Sequence, residues 1–214
     1  MRSLNQSDFV FAVALAGLAG YVDALGFLAT NGFFVSFMSG NSTRLGVGVG
    51  HTLWPMAGAA VGLIIAFVVG VACGSLAARG GGMRQRWAVL ALVTLMLSIA
   101  FCLRTTGLGH LTPVLLAMAM GAENAVFQRD GGSGFGVTYM TGALVKVGQG
   151  LARILSGEPG GEWLRFLALW AGLVGGAVLG SALSTGLGVA AFALAPIAAS
   201  ALCVWAWTAD RRTS

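Results

Sequence analysis

Six long apolar runs constrain the fold more than any other feature of this sequence. They cover residues 9–28, 53–78, 87–103, 111–127, 163–183 and 187–207. A helix needs about 20 predominantly apolar residues to cross the hydrocarbon core of a bilayer. The runs therefore predict an all-α membrane protein with about six transmembrane helices, whose first partner is the lipid bilayer.

The low charge content excludes a sizeable soluble domain. Of the 214 residues, 57% are hydrophobic and 9% are charged, whereas a soluble domain carries about 25% charged residues. The net charge is +5, but the twelve Lys and Arg residues lie mostly near the ends of the apolar runs and do not form a basic patch. We therefore expect one membrane domain and no nucleic-acid partner.

A polar stretch interrupts the apolar pattern twice. Residues 33–50 return, shifted by 102 positions, as residues 135–150. The same order of hydroxyl, aromatic, methionine, hydroxyl, glycine and cation recurs, as the pairs Ser36/Thr138, Phe37/Tyr139, Met38/Met140, Ser39/Thr141, Gly40/Gly142 and Arg44/Lys146. Such an ordered match predicts an internal repeat.

The repeat extends beyond the polar stretches. Gly20 and Asp23 are matched by Gly121 and Asn124, and the motif from Gly70 is matched by that from Gly176. The repeat units are residues 1–104 and 105–214, each a span, a polar stretch and two further spans. Because three crossings is an odd number, the second unit enters the membrane inverted relative to the first.

The polar stretches either re-enter the membrane or cross it. If both re-enter, nine Lys or Arg residues fall on the side of the two termini and Arg104 alone falls on the other side. If both cross, the division is six against four. The positive-inside rule favours re-entry with both termini in the cytoplasm.

The start of each polar stretch suggests a solute site. Non-helical backbone cannot face lipid, because unpaired N–H and C=O groups are costly there. We expect Ser39 to be the N-cap of a short helix that runs through Arg44 toward Gly50. Two inverted copies would bring the helix N-termini at Ser39 and Thr141 together near the midplane, where their N–H groups would suit an anionic or carbonyl-bearing solute.

Four ionisable groups lie in the apolar or repeated segments. They are Asp23, Arg44, Glu123 and Lys146, and each costs about 2.5 to 3.5 kcal/mol at a helix centre on insertion scales. They should therefore face inward, and the spacing predicts the pairs Asp23–Arg44 and Glu123–Lys146. Two interpretations stay open: the pairs fix the polar stretches structurally, or they line a path for a solute or a proton.

The candidate site therefore contains eleven residues on the proposed solute or ion path. They are Asp23, Ser39, Gly40, Asn41, Arg44, Glu123, Asn124, Tyr139, Thr141, Gly142 and Lys146. Ala143 answers Asn41 in the second copy, so the two half-sites are chemically unequal. The sequence contains no nucleophile–base pair, metal-ligand spacing or cofactor motif, and we expect no enzymatic activity, metal or cofactor.

Several of these strings are similar to a known family. Gly20-Tyr-Val-Asp-Ala, Phe34-Val-Ser-Phe-Met-Ser-Gly-Asn and Thr138-Tyr-Met-Thr-Gly resemble the YoaK family of bacterial polytopic membrane proteins. The resemblance implies a multi-pass protein of the bacterial cytoplasmic (inner) membrane, of a kind sometimes described as a small-molecule transporter. It supplies no catalytic residues.

The sequence thus favours a transporter or channel for a small polar or anionic solute, bound at the midplane between the repeats. The alternative is a membrane scaffold or accessory subunit without transport, in which the buried charges are structural. Glycine-rich helix faces allow a homodimer but do not require one.

The topology predicts where introduced cysteines are accessible. In a variant without Cys73, Cys102 and Cys203, a cysteine at Gly81 should react with a membrane-impermeant maleimide from the cytoplasmic side only, and one at Gly107 from the opposite side only. Labelling of intact cells and of inverted vesicles measures this. Reaction of both positions from the same side would contradict the arrangement.

Overall fold

The computed structural model of the chain describes residues 6–127, 140–159 and 161–210. None of the residues in these ranges forms a β-strand, which confirms the all-α prediction. The helices are α1 (Gln6–Ala29), α2 (Met38–Gly50), α3 (Trp54–Gly81), α4 (Gln85–Thr105), α5 (Thr112–Glu123), α6 (Met140–Leu155), α7 (Trp163–Leu187) and α8 (Ala191–Asp210).

Prolines and glycines set several helix boundaries. Pro55 and Pro113 lie in the first turn of α3 and of α5, where a residue without an N–H group costs no helical hydrogen bond. Gly82 and Gly188 follow α3 and α7 with φ of 50° and 56°, values that glycine adopts without steric strain. Each glycine ends its helix and allows the next helix to turn back.

Four described stretches are long and apolar enough to cross a membrane: Gln6–Ala29, Trp54–Gly81, Gln85–Thr105 and Trp163–Ala209. The last stretch has 47 residues and contains both α7 and α8, separated by the turn at Gly188. The chain is therefore a multi-pass membrane protein.

The predicted fourth span, residues 111–127, is helical only to Glu123. The Asn124 side chain donates to the carbonyl oxygen of Met120 at 2.9 Å, and the N–H groups of residues 124–126 each bond to a carbonyl three residues earlier. This tight turn ends α5 after 12 residues, which span about 18 Å at 1.5 Å per residue. That is less than the hydrocarbon thickness of about 30 Å.

Close glycine contacts show which helices run in the same direction. On α7, Gly172 lies against Val13, Gly176 against Gly17 and Gly180 against Tyr21 of α1. From one contact to the next, the residue numbers increase along both helices, so α1 and α7 are parallel. By the same reasoning α3 and α5 are parallel, since Gly70 lies against Met118 and Gly74 against Ala122.

The α4–α8 pair is antiparallel. The sulfur of Cys203 lies 3.7 Å from the carbonyl oxygen of Trp87, and the Arg104 guanidinium lies 5.2 Å from the centre of the Phe192 ring. The turns between α3 and α4 and between α7 and α8 also join antiparallel helices. Helices α1, α4 and α7 therefore run in one direction, and helices α3, α5 and α8 run in the opposite direction.

The helix directions decide where the polar stretches lie. Because α1 and α3 are antiparallel, the chain from residue 30 to residue 53 leaves and returns at one end of the bundle, which we term the far end. Because α5 and α7 are antiparallel, α6 lies at the opposite end, where α1 begins, which we term the amino end. The first polar stretch therefore returns to the end that it left, and the described part of the second, helix α6, lies at the end where α5 finishes and α7 begins.

The α1–α7 and α3–α5 contacts correspond residue by residue. A Cβ at Gly176 would overlap the carbonyl oxygen of Gly17, and one at Gly70 would overlap that of Met118. Further matching pairs are Gly20–Leu173 with Gly121–Phe67, Gly180–Tyr21 with Gly74–Ala122, and Gly48–Ala57 with Gly150–Trp163. Positions that match in the predicted repeat thus make matching contacts.

These contacts predict a sharp difference between two adjacent glycines. Gly176→Ala forces a methyl group into the backbone of α1 and should destabilise the protein by about 2 kcal/mol, within the usual range for overpacking. Gly175 has no heavy atom within 4 Å of a Cβ position, so Gly175→Ala should be neutral or stabilising. Thermal unfolding of both variants in detergent measures the difference, and equal stabilities would refute the α1–α7 contact.

Candidate functional site

Residues 33–37 form a non-helical segment with bends at Val35 and Ser36, the folded-back limb, that returns along the last turns of α1. The turn into it uses Asn31 and Gly32, with φ of 54° and 112°. Val35 packs so closely on Gly26 that a Cβ there would lie 2.6 Å from Val35 Cγ1. The limb therefore re-enters the bundle alongside α1.

Asp23 holds the inner part of the limb. Its Oδ1 atom accepts the backbone N–H groups of Val35 and Ser36, both at 2.8 Å. Asp23 lies six residues before the end of α1, which places it about 9 Å inside that end. The carboxylate thus serves as a hydrogen-bond acceptor for backbone that no helix or sheet satisfies.

Asn41 and Thr30 hold the outer part of the limb. Asn41 is fully buried; its Oδ1 accepts the Phe34 N–H at 3.0 Å and its Nδ2 donates to the Phe34 carbonyl at 2.7 Å. Thr30 Oγ1 accepts the Phe33 N–H at 3.0 Å. Each N–H from residue 33 to residue 36 therefore has a partner, as backbone surrounded by apolar groups requires.

The predicted role of Ser39 as N-cap is wrong. Helix α2 begins at Met38 after Phe37 and has no side-chain cap. The reason is that the Asn41 N–H already bonds to the Phe37 carbonyl, which puts the exposed Ser39 inside the first turn. Gly40 packs against the limb, since a Cβ there would lie 2.8 Å from the rings of Phe34 and Phe37.

Neither predicted ion pair forms. Asp23 bonds to the limb, while the Arg44 guanidinium lies 5.1 Å from the centre of the Phe33 ring. Lys146 is exposed and its Nζ contacts Gln149 Oε1 at 3.2 Å. In the described part of the chain, the ion pairs within 4.0 Å are Asp8–Arg86 and Glu162–Arg165.

The second polar stretch is placed only in part. Tyr139 lies outside the described residues, whereas α6 is described from Met140. Ala143 and Gly150 are its buried residues, and these are the positions that match Asn41 and Gly48, the buried residues of α2. Thr141 and Gly142 are exposed.

The two short helices do not meet. Helix α2 packs on α3 at the far end and α6 packs on α7 at the amino end. The prediction that the N-termini at Ser39 and Thr141 approach each other near the midplane is therefore wrong, because each helix lies beside the span that follows it.

The structure instead places a groove beside the folded-back limb. Its volume is about 750 Å³, and its polar lining is Asp23 together with Ser181 and Thr185 of α7. Phe27 and Phe34, with ring centres 5.0 Å apart, form part of its apolar wall. We term this space the Asp23 groove; no Lys or Arg side chain lines it.

The sequence interpretation missed the α7 side of the groove. The signal was present, because the matched motifs Gly70 to Ser75 and Gly176 to Ser181 each end in serine. A smaller cavity of about 210 Å³ lies at the amino end, lined by Lys146, Arg153 and Glu162 among others.

Asn124 and Glu123 lie at the end of α5. Asn124 matches Asp23 in sequence and donates to Met120 within its own helix. Glu123 is completely buried, and among the described residues neither of its carboxyl oxygens has a hydrogen-bond partner. Within that part of the chain, Asp23 therefore binds backbone N–H groups, whereas the Glu123 side chain makes no hydrogen bond.

Comparison with known proteins identifies relatives along the whole chain. The profile of the family described as "Protein of unknown function (DUF1275)" matches residues 11–206. A UPF0700 transmembrane protein of Rhizobium meliloti is 35% identical over 212 residues, which is 99% of this chain and 91% of the relative. The UPF0700 transmembrane protein YoaK of Bacillus subtilis is 27% identical over 137 residues, 60% of each chain. No solved structure matches the chain. These matches confirm the resemblance to the YoaK family.

The role of Asp23 can be separated from its charge. Asp23→Ala leaves the N–H groups of Val35 and Ser36 without an acceptor and should cost about 1 to 3 kcal/mol for each group. Asp23→Asn keeps an oxygen that can accept two hydrogen bonds and should retain most of the stability. Thermal unfolding compares the two variants, and equal losses would show that the charge is what matters.

Proposed function

We propose, from the premise that the chain belongs to the DUF1275 family, that this multi-pass protein is a transporter or channel for a small polar or anionic solute. In this proposal two inverted repeats form the membrane domain and the solute path runs between them. The relatives are named as transmembrane proteins, and the path itself is argued from the chain's own geometry.

Matched contacts support the inverted repeat. Residue numbers on α1 increased by 101 give the matching positions on α5, and those on α3 increased by 106 give the matching positions on α7. Under these shifts the contact between Gly17 and Gly176 corresponds to the contact between Met118 and Gly70. The helix-ending glycines Gly82 and Gly188 also differ by 106. The matched helices α1 and α5 run in opposite directions, as do α3 and α7. Opposite directions with equal contacts are what a two-fold axis in the membrane plane produces.

The Asp23 groove is the observation that carries the solute proposal. Irregular backbone at membrane depth is tolerated where it is buried in protein or lines a cavity, and discontinuous segments form the sites of many transporters. The folded-back limb is such a segment, and the groove lies beside it. Because Asp23 is its one charged lining group, the groove favours a polar solute with hydrogen-bond donors over an anion.

The positions of the described cations support the predicted orientation. Six of them lie at the amino end: Arg79, Arg84, Arg86, Lys146, Arg153 and Arg165. Two lie at the far end, Arg44 on α2 and Arg104 at the end of α4. The amino end then faces the cytoplasm of a bacterial cell under the positive-inside rule.

The second candidate function is a membrane scaffold or accessory subunit without transport. The hydrogen bonds of Asp23 and Asn41 favour it, because both side chains are engaged by the backbone of the folded-back limb. In this alternative the groove is filled by lipid and carries no solute.

A flux measurement distinguishes the two candidates. Proteoliposomes loaded with a mixture of labelled polyols, amino acids and short carboxylic acids should release at least one polar solute faster than protein-free liposomes, as measured by mass spectrometry. Ala182 lines the groove, and Ala182→Phe should reduce the release several-fold by filling it.

Leu179→Phe is the matched control, because Leu179 is 59% exposed and does not line the groove. Its release rate should equal that of the wild type. Release no faster than from protein-free liposomes, for every solute in the mixture, would favour the scaffold. Equal loss in both variants would remove the groove from the path.

A further inference from the structure

Glu123 is a carboxyl group buried without a partner in the membrane domain. It has no exposed surface, and neither oxygen accepts or donates a hydrogen bond among the described residues. Helix α3 packs closely on the same turn of α5, since a Cβ at Gly74 would lie 2.6 Å from the carbonyl oxygen of the adjacent Ala122.

No ionisable group on the packed helices neutralises it. Helix α5 packs on α1, α3 and α4, whose ionisable groups are Asp8, Tyr21, Asp23, Cys73, Arg79, Arg86, Cys102 and Arg104. The short helix Gly109–Leu111 also contacts α5, but its His110 lies where α5 begins, at the opposite end from Glu123. Asp8 pairs with Arg86 and Asp23 with the folded-back limb, and none of the eight bonds to Glu123. The predicted partner Lys146 is exposed on α6.

The fold does not require a carboxyl group at this position. The residue that matches Glu123 under the shift of 101 positions is Val22, which is equally buried in α1. An apolar side chain therefore fills the equivalent space in the other half of the molecule. Packing alone does not explain a glutamate here, because burying a polar group without a partner costs about 1 to 3 kcal/mol on mutational scales.

A metal cation does not suit this site. The carbonyl oxygens beside Glu123 are occupied: those of Gly121, Ala122 and Glu123 itself accept N–H groups of residues 124–126, and that of Met120 accepts the Asn124 amide. Over the residues that the structure describes, no three His, Cys, Asp or Glu side chains are grouped as metal ligands. The ligand that a single buried carboxylate can take is a proton.

We propose that Glu123 binds a proton inside the membrane domain and that this proton is the coupling ion of the proposed transport. The carboxylate takes a proton from the aqueous phase to form the neutral acid, and no other reactant is needed. The described conformation is the protonated one, because an unpaired carboxylate removed from water costs several kcal/mol. The coupling part rests on the proposed function, whereas the proton site does not.

Infrared spectroscopy tests the proton site without any substrate. In membranes at neutral pH the wild type should show a carboxylic acid carbonyl band that shifts in deuterium oxide, and Glu123→Gln should remove it. Glu158 is exposed, so Glu158→Gln should remove carboxylate bands and leave the acid band unchanged. Absence of an acid band that depends on Glu123 would overturn the proposal.

Flux under a pH gradient tests the coupling. A gradient imposed across the proteoliposomes should change the release of the transported solute several-fold in the wild type and in Glu158→Gln, but not in Glu123→Gln. Glu123→Val, which copies Val22, should fold and show the same insensitivity. This variant therefore separates loss of the proton from loss of the structure.

The outcomes are distinct. If the acid band depends on Glu123 but a pH gradient does not change the flux, the coupling is refuted. If no solute is released by the wild type, the proposed transport fails together with the coupling, while the infrared band still supports the proton site.

Discussion

The structure depends on satisfying the backbone of the folded-back limb inside an apolar domain. A non-helical segment exposes N–H and C=O groups that a helix would pair internally, and each unpaired group costs several kcal/mol in hydrocarbon. Asp23 supplies the acceptor for two N–H groups, and Asn41 pairs with both backbone groups of Phe34. These bonds allow the chain to turn back within the bundle, so that α3 begins at the end where α1 finishes.

Backbone contact between helices provides the second constraint. Helix association in a membrane relies on close packing, because lipid is as apolar as the side chains that it would replace. Gly176 on α7 and Gly70 on α3 bring their helices onto the carbonyl groups of α1 and α5. Since these crossings join one half of the chain to the other, they also fix the two polar stretches at opposite ends, and the Asp23 groove forms where α7 passes the limb.

The sequence predicts the helices better than their side-chain partners. The apolar runs predict most of the spans, and the start of α2 is predicted to within two residues. The pairing of Asp23 with Arg44 fails because a carboxylate can be satisfied by backbone N–H groups, which have no signature in the residue types. At the early end of α5, the Asn124 side-chain amide donates to the Met120 carbonyl oxygen. A single hydrogen bond of this kind cannot be predicted from the periodicity of apolar residues.

Three departures from the predicted repeat introduce or remove a polar side chain near the two sites. Matched glycines keep equivalent contacts in both halves, whereas Asp23 becomes Asn124, Asn41 becomes Ala143 and Val22 becomes Glu123. If the polar side chains served only to fix two equivalent polar stretches in place, we would expect the same side chains at matching positions of both halves. The residues at these three positions do not meet that expectation. Asp23 binds the backbone of the limb in one half, and the proton site that we propose at Glu123 has the apolar Val22 as its counterpart in the other half.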